Sequence, residues 1–124
     1  MDLIYKAESY AVVGACFEVY NELGNGFDES IYHEALLLEF EDKQVPVESE
    51  VRLHIQYKGK QLKKYFKADL VAYQKIIIEL KSVKSLNDYH RAQVINYLKA
   101  TGYKLGLLIN FGAPEGLEYE RVVL

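Results

Sequence analysis

Apolar residues recur at helical spacing near the start of the chain, in residues 9–23. The positions that share this spacing are Val12, Cys16, Val19 and Leu23. Gly24 is typical of a helix C-terminus, so a first helix is predicted to end there.

Two further helices are predicted from the same pattern. One begins after Asp28 as its N-cap and ends near Gln44, before Pro46, with Ile31, Ala35 and Leu38 on its apolar face. The other covers residues 85–101, where Ser85 and Asp88 have the spacing of a capping box and Gly102 follows.

From residue 48 onwards the hydrophobic period changes to two, which predicts strands. Lys58-Gly59 is typical of a two-residue hairpin turn, and it places Ile55 opposite Leu62 and Val51 opposite Phe66. The other face of the hairpin then gathers Arg52, His54, Lys63, Tyr65 and Lys67, and the alternation continues to Asp69.

Three more strands are predicted at residues 76–81, 103–111 and 117–124. The first two flank the third helix, so we expect them to be parallel neighbours joined by a right-handed crossover. The strands before them form an antiparallel meander. The pattern therefore predicts an α/β fold of order ααβββαββ, with a mixed β-sheet flanked by helices.

The chain has the length of one domain, and we interpret residues 1–124 as a single domain. Its one cysteine, Cys16, excludes an internal disulfide and a zinc site of several cysteines, and its helical setting favours a buried core residue. Neither a membrane-length apolar run nor a signal peptide is evident, so a soluble, cytoplasmic protein is expected.

Charge is distributed unevenly along the chain. Residues 1–50 carry 12 acids and 2 bases, whereas residues 51–124 carry 13 bases and 6 acids. A basic half of this kind indicates a ligand of negative charge, although acidic, solvated helix faces explain the asymmetry equally well.

Two charged residues end the apolar run Ile76–Ile78: Glu79 and Lys81 alternate on a strand and therefore share a face. Asp69 lies on the preceding strand near the same level. A two-residue turn would place Asp69 and Glu79 on opposite faces, so an odd-length loop, Tyr73-Gln74-Lys75, or a compensating bulge is expected. Two carboxylates this close repel each other unless a cation lies between them, and Mg²⁺ or Mn²⁺ prefers such oxygen ligands. Lys81 would then lie beside a metal-bound water, which it could orient or help to deprotonate. A Glu-x-Lys pair alone is also common on protein surfaces.

The ordered set of Asp69, Glu79 and Lys81 resembles the PD-(D/E)xK nuclease superfamily, which has a restriction-endonuclease-like fold. Gly26, Glu29 and Tyr32 match a G-x-x-E-x-x-Y motif, and the whole chain resembles the small bacterial family named for it. Gln93 and Tyr97 form the Q-x-x-x-Y of RecB-type nucleases. Ala68 replaces the proline of the superfamily name.

The resemblance implies Asp69, Glu79 and Glu29 as metal ligands, with Lys81 and Gln93 completing the catalytic set. Each has an ordinary structural alternative: Glu29 as a solvated acid in a first helical turn, Gln93 as a surface amide, and Tyr97 as core packing. His33, one turn beyond Glu29, could reach the metal, although a surface histidine is the commoner finding at such a position. His90 and Arg91 could contact phosphate or form a solvated helix end.

The predicted function is hydrolysis of phosphodiester bonds, in DNA, with Mg²⁺ or Mn²⁺ as cofactor. Arg52, Lys63 and Lys67, together with Tyr97, are the candidate nucleic-acid contacts. No base-reading motif is apparent, so low sequence specificity is expected, with a homodimer or a partner protein. The alternatives are a non-catalytic nuclease-fold module that binds nucleic acid or protein, and a metal-free regulatory partner whose acidic helices dock a basic protein.

Overall fold

The computed structural model describes residues 3–124, so Met1 and Asp2 of the expected domain lie outside it. The described residues form three helices and five strands in the predicted order, ααβββαββ. The helices are α1 (Lys6–Leu23), α2 (Glu29–Asp42) and α3 (Asp88–Thr101). The strands are β1 (Val47–Tyr57), β2 (Lys60–Ala72), β3 (Ile76–Lys81), β4 (Leu105–Asn110) and β5 (Glu118–Val123).

All five strands form one sheet in the order β1-β2-β3-β4-β5. β3 and β4 are parallel, and α3 forms the crossover between them, while the other three pairs are antiparallel. The sheet is therefore mixed, as predicted. Both β3 and β4 are buried along almost their whole length, which explains their nearly continuous apolar sequences.

Helices cover both faces of the sheet. One core cluster joins α1 and α2 to side chains that include Leu70, Ile76 and Ile78, and a second joins α3 to the opposite face around Ile77 and Leu108. Cys16 is fully buried in the first cluster, as predicted, and this burial raises the pKa of its thiol to about 12.

The predicted apolar face of α2 is wrong. The buried residues are Tyr32, Leu36 and Phe40, whereas Ile31 and Leu38 are 45% and 66% exposed. The helix carries apolar residues on two faces, so its spacing alone does not choose between them. The larger aromatic side chains fill the space above the sheet, and the other face is left to solvent.

The N-terminus of α3 also differs from the prediction. Its N-cap is Asn87, whose side chain accepts a hydrogen bond from the backbone of His90, and the His90 side chain accepts one from the backbone of Asn87. This reciprocal pair replaces the expected one of Ser85 and Asp88.

The hairpin of β1 and β2 turns at Lys58-Gly59, as predicted, with both residues at positive φ. An irregularity opposite Ile55 then shifts the register by two residues. Val51 consequently lies opposite Ala68, and Phe66 lies opposite Leu53, instead of the predicted Val51–Phe66 pair. A shift of two preserves the face of each side chain, so Arg52 still lies beside Lys67.

The hairpin changes its packing partner at Asp69. Phe66 and Ala68 pack under α3, whereas Leu70 and Ala72 pack under α1 and α2. Residues two apart on a regular strand share a face, so β2 rotates at Asp69. The residue opposite, Glu50, has a φ of 53°. Asp69 therefore lies where the hairpin twists away from the rest of the sheet.

Candidate active site

Three residues, Tyr73–Lys75, connect β2 to β3, which confirms the expected odd-length loop. Because Ala72 lies opposite Ile76 and Leu70 opposite Ile78, continuing the register places Asp69 opposite Glu79. The backbone pairing ends at Leu70 and Ile78. The next residues on both strands are the two acids, so the site lies where the strands separate.

Side chains bridge the strands beyond this point. Oε1 of Glu79 accepts a hydrogen bond from the backbone N–H of Asp69 at 3.1 Å, and Oδ2 of Asp69 accepts one from the backbone N–H of Leu80 at 2.8 Å. Both carboxylates are thus fixed by backbone donors on the opposite strand. This arrangement leaves one oxygen of each carboxylate outside these two bonds.

Glu79 is only 3% exposed, an unusual setting for a carboxylate. Burial raises the pKa of its carboxyl to about 8, with a further increase from the charges of Asp69 and Glu29. The bond from the Asp69 N–H and the charge of Lys81 oppose this rise. The Nζ atom of Lys81 lies 3.8 Å from Oε2 of Glu79. One ammonium group does not balance the acids, so the site favours a proton or a cation.

Glu29 is the first residue of α2, and it lines a cleft together with Asp69 and Leu80. The pKa of its carboxyl is raised mainly by partial desolvation, and also by Asp69, while Lys81 opposes the increase. These mutual effects place Glu29 within electrostatic range of Asp69, Glu79 and Lys81. An acid in the first turn also complements the helix dipole, so both roles hold for this residue.

Tyr32 fixes the loop that precedes Glu29. It is fully buried, its ring stacks on Phe111 with a centroid distance of 4.1 Å, and its hydroxyl donates to the carbonyl of Gly24. The same hydroxyl accepts from the backbone N–H of Phe27 at 3.2 Å. Ser82, just after β3, donates to the Phe27 carbonyl at 2.6 Å. The tyrosine of the G-x-x-E-x-x-Y motif is therefore a structural residue that positions Glu29 beside β3.

Gln93 and Tyr97 approach from α3 on the other face of the sheet. Nε2 of Gln93 donates to the Tyr97 hydroxyl at 3.0 Å. Burial raises the pKa of Tyr97 to about 12, and the charges of Glu79 and Asp69 add to the increase. Tyr97 is only 5% exposed and packs against Phe66, so it supports the site with little free surface.

The other end of the Gln93 amide is unsatisfied. Its Oε1 is buried and has no hydrogen-bond partner among residues 3–124. A buried acceptor without a donor costs about 1–3 kcal/mol, so such an atom calls for a ligand that carries a donor. Water held near the acids, or a polar group of a substrate, would satisfy it.

Gly106 allows α3 to lie close to the sheet. A Cβ atom at this position would be 2.4 Å from Cγ1 of Val94, the residue after Gln93. Valine has little rotameric freedom in a helix, so a side chain at Gly106 would displace α3. A lone glycine in a buried strand is a sign of such close approach, so the role of Gly106 is recognisable from the sequence.

Arg52, Lys63 and Lys67, the predicted nucleic-acid contacts of the hairpin, are all exposed. The Arg52 guanidinium lies 4.9 Å from the centroid of the Tyr65 ring, and Nζ of Lys67 lies 4.0 Å from a carboxylate oxygen of Glu50. Lys63 lies in the irregular part of β2. These exposed bases lead along the hairpin towards Asp69.

The other candidate residues, His33, His90 and Arg91, form hydrogen bonds within the protein. Nε2 of His33 lies 2.7 Å from Oγ of Ser49. Arg91 forms a bidentate pair with Glu120, with both distances 2.7 Å, and a further pair with Asp88. His90 belongs to the cap of α3. These bonds favour structural roles for all three residues.

The acid pair fits a divalent cation such as Mg²⁺ or Mn²⁺. Asp69 and Glu79 supply carboxylate oxygens at one place. Burial, and then the charge of Asp69, raise the pKa of Glu79, and a cation would favour the charged form of this carboxylate. Mg²⁺ commonly uses one or two protein carboxylates and several waters. No group of three or more His, Cys, Asp or Glu side chains within residues 3–124 has metal-binding geometry. Glu29 therefore lies near the acid pair but does not form a three-residue metal-binding group with Asp69 and Glu79.

Comparison with known proteins identifies the family. A model of the PD-(D/E)XK nuclease superfamily matches residues 6–122, so the chain belongs to this superfamily. Its mixed sheet with flanking helices is the restriction-endonuclease-like fold. Nucleases of the superfamily generally use divalent metals.

One solved structure with a related fold is titled "Crystal structure of SSO0001". It superposes with a TM-score of 0.59 and 24% identity, over 76% of this chain and 48% of that one. The chain thus spans about half the length of that structure, and the likeness concerns the fold alone. No curated protein matches the chain. Within residues 3–124, no helix is both long and apolar enough to cross a membrane.

Two contacts that support the site could not be predicted from the sequence. Ser82 and the backbone N–H of Leu80 had no recognisable signal, because a serine after a strand is common and a backbone donor has no sequence identity. Both act through residues far away in the chain, Phe27 and Asp69.

Proposed function

We propose that this chain is a nuclease that hydrolyses phosphodiester bonds in DNA with low sequence specificity, using Mg²⁺ or Mn²⁺, and that residues 1–124 act as one nuclease domain. The observation that supports this most strongly is the acid pair at the strand fork. Asp69 and Glu79 are each held by a backbone donor of the opposite strand, and Lys81 lies beside Glu79. This costly arrangement of charges has a clear use in metal-assisted hydrolysis.

A bound divalent ion would supply Lewis-acid activation of the scissile phosphate and of the attacking water. Asp69 and Glu79 would hold the ion, with Glu29 as a nearby acceptor. The Lys81 ammonium would stabilise negative charge that develops on the phosphate oxygens. Oε1 of Gln93 would accept a hydrogen bond from water and orient it. Attack would form a bond from the water oxygen to phosphorus and break the bond to the leaving oxygen. The attacking water would lose one proton to solvent, and the leaving alkoxide would take up one proton from solvent.

The hairpin supports a polyanionic substrate. Residues 51–68 contain six lysines and arginines and no acid, although the chain as a whole has a net charge of −3. Contacts of exposed lysine and arginine with phosphates carry no base information, so they agree with low sequence specificity.

The direct test is cleavage of supercoiled plasmid, linear duplex, single-stranded DNA and RNA, each with Mg²⁺, Mn²⁺ or EDTA. We expect metal-dependent cleavage by the wild-type protein and none by Lys81→Ala. Lys104→Ala is the matched control, because Lys104 is exposed and precedes β4 at the end of the sheet opposite Lys81. Equal, EDTA-insensitive cleavage by wild type and Lys81→Ala would identify a contaminant and reject the proposal.

A second candidate is a non-catalytic module that binds nucleic acid. It is favoured by the absence, in residues 3–124, of three metal-binding side chains in one cluster. This module would bind DNA through the hairpin equally well with or without metal. The retained acid pair and Lys81 favour the nuclease, and a metal response separates the two functions.

A further inference from the structure

A cavity of about 250 Å³ lies between the hairpin and α3. Its walls combine three aromatic rings with amides, from Phe66, Tyr89, Ala92, Gln93, Asn96 and Tyr97. The rings of Phe66 and Tyr97 pack together with a centroid distance of 5.1 Å and form one wall of the cavity. A cleft with this lining suits a flat ring that carries polar edges.

Tyr89 forms the open side of this cavity and is 82% exposed. It lies in the first turn of α3, so its backbone is fixed while its ring faces solvent. Large aromatic residues left in water at a cavity rim are typical of binding surfaces, because burying them against a ligand is favourable.

The cavity adjoins the candidate active site through Gln93 and Tyr97. These two side chains are hydrogen-bonded to each other at 3.0 Å, and both line the cavity. Tyr97 also lies within electrostatic range of Glu79 and Asp69. A ligand group in the cavity would therefore be held on the α3 side of the acid pair, against Gln93 and Tyr97.

We propose that this cavity binds one unstacked nucleobase of a single-stranded DNA segment, with the base stacked against Tyr89 beside the scissile phosphate. This inference deepens the proposed nuclease function and rests on it for the nature of the substrate. An amide oxygen can accept two hydrogen bonds, so the unpaired Oε1 of Gln93 is an acceptor for an amino or imino N–H of the base as well as for the water near the acids.

Size and charge favour this occupant. The volume is below the ~300–1,000 Å³ typical of sites for drug-sized ligands, so one ring system fits better than a whole nucleotide. The sugar and phosphate would remain outside, near the basic hairpin. A base within a duplex would first have to be unpaired and unstacked, which costs more free energy than extending a base from a single strand.

Binding of labelled oligonucleotides in EDTA, at low ionic strength, tests the inference without cleavage. The probes are a single strand of the shortest length that wild type binds with full affinity, a blunt hairpin duplex of the same length, and a series of these single strands with one abasic position each. The short length prevents the protein from avoiding the abasic position by binding in another register. The proteins are wild type, Tyr89→Ala, Tyr89→Phe and Tyr10→Ala. Tyr10 is the matched control, because it is 80% exposed and lies on α1, on the other side of the sheet.

We expect Tyr89→Ala to weaken single-strand binding about tenfold, because base–aromatic stacking is strong and tolerates any base. Tyr89→Phe keeps the ring and should bind as wild type does, and Tyr10→Ala should have no effect. Duplex binding should be weaker than single-strand binding and insensitive to Tyr89. One abasic position should reduce wild-type affinity by the same factor, and this loss should be absent in Tyr89→Ala.

Equal losses in Tyr89→Ala and Tyr10→Ala, or abasic strands that bind as well as intact ones at every position, would overturn the inference. The same holds if wild type prefers the duplex or binds no single strand. A protein that shows the expected Tyr89 dependence but cleaves nothing retains the base site and refutes the nuclease function, so the two failures are distinguishable.

Discussion

The backbone N–H of Asp69 donates to the Glu79 carboxylate across the fork between β2 and β3, at 3.1 Å. This bond fixes the Glu79 side chain against the very residue whose negative charge raises its pKa. Hydrogen bonding and charge repulsion thus act in opposite directions at one point.

A divalent ion should stabilise the folded protein. The ion binds the acid pair of the native state and has no such site in the unfolded chain, so a hundredfold excess over its dissociation constant contributes about 2.7 kcal/mol. This corresponds to a rise of several degrees in Tm for a domain of this size. Glu79→Gln should abolish the shift in melts with millimolar Mn²⁺ against EDTA. Identical metal responses in the two proteins would show that Glu79 is not a ligand.

Without metal, Glu79 should make stability depend on pH. Its carboxyl has a pKa of about 8 in the folded state, against an ordinary value of 4.5. The native state therefore holds a proton that the unfolded state releases in this interval. The contribution is full below about pH 4.5 and is lost as the pH rises through about 8, by an amount on the order of a few kcal/mol.

Chemical unfolding in EDTA from pH 5 to 8.5 measures this effect. The free energy of unfolding of the wild-type protein should fall relative to that of Glu79→Gln as the pH increases. Glu22→Gln, at an exposed position of α1, serves as the control and should follow wild type. Parallel curves for wild type and Glu79→Gln would contradict the raised pKa.

Tyr32→Phe should reduce both stability and cleavage. The change removes the hydroxyl that bonds to Gly24 and Phe27, at a cost of about 1–2 kcal/mol, and loosens the loop before Glu29. Because Glu29 acts near the acids, kcat should fall more than KM rises. Tyr103→Phe is the comparison, because the bond from Tyr103 to Thr101 is donated by its backbone N–H and survives this change. A loss of stability with unchanged kcat would remove Tyr32 from any role in positioning Glu29.

Gly106→Ala should reduce the cleavage rate by displacing α3. The added methyl group would meet Val94 at 2.4 Å, so α3 must move and carry Gln93 with it. We expect a stability loss of about 1–3 kcal/mol from overpacking, and a lower kcat at temperatures where the variant remains folded. Gly14→Ala on α1, where a Cβ meets nothing within 4 Å, should be neutral or slightly stabilising. Wild-type kcat in folded Gly106→Ala would contradict this coupling.

Arg52→Ala and Lys67→Ala should each weaken DNA binding similarly for all sequences. Each phosphate contact that is lost reduces the slope of log affinity against log salt by about 1. The measurement is a salt titration of duplex or single-strand binding, with Lys104→Ala as the exposed control of equal charge. A salt slope unchanged by the hairpin variants would place the nucleic acid elsewhere.

The sequence predicted the order of elements and one critical loop length because both follow from local rules. The change of hydrophobic period from helix to strand is visible without any tertiary information. The expected odd loop at Tyr73–Lys75 followed from strand alternation, since only an odd number of residues brings Asp69 and Glu79 to one face. The resemblance of the motif residues to a known superfamily was also visible in the sequence.

Tertiary structure decided which helix face is buried, which residues are paired in the hairpin and which distant residues are hydrogen-bonded. α2 has two apolar faces, and only packing on the sheet chose Tyr32 over Ile31. The irregularity opposite Ile55 changed the partner of Phe66 from Val51 to Leu53. The alternation of apolar and polar residues does not predict such a shift, because a shift of two residues leaves each side chain on the same face. The bonds of Ser82 to Phe27 and of Leu80 to Asp69 join residues distant in the chain. Sequence periodicity specifies which residues share a face, whereas the atoms that finally meet are fixed by how the faces twist and pack.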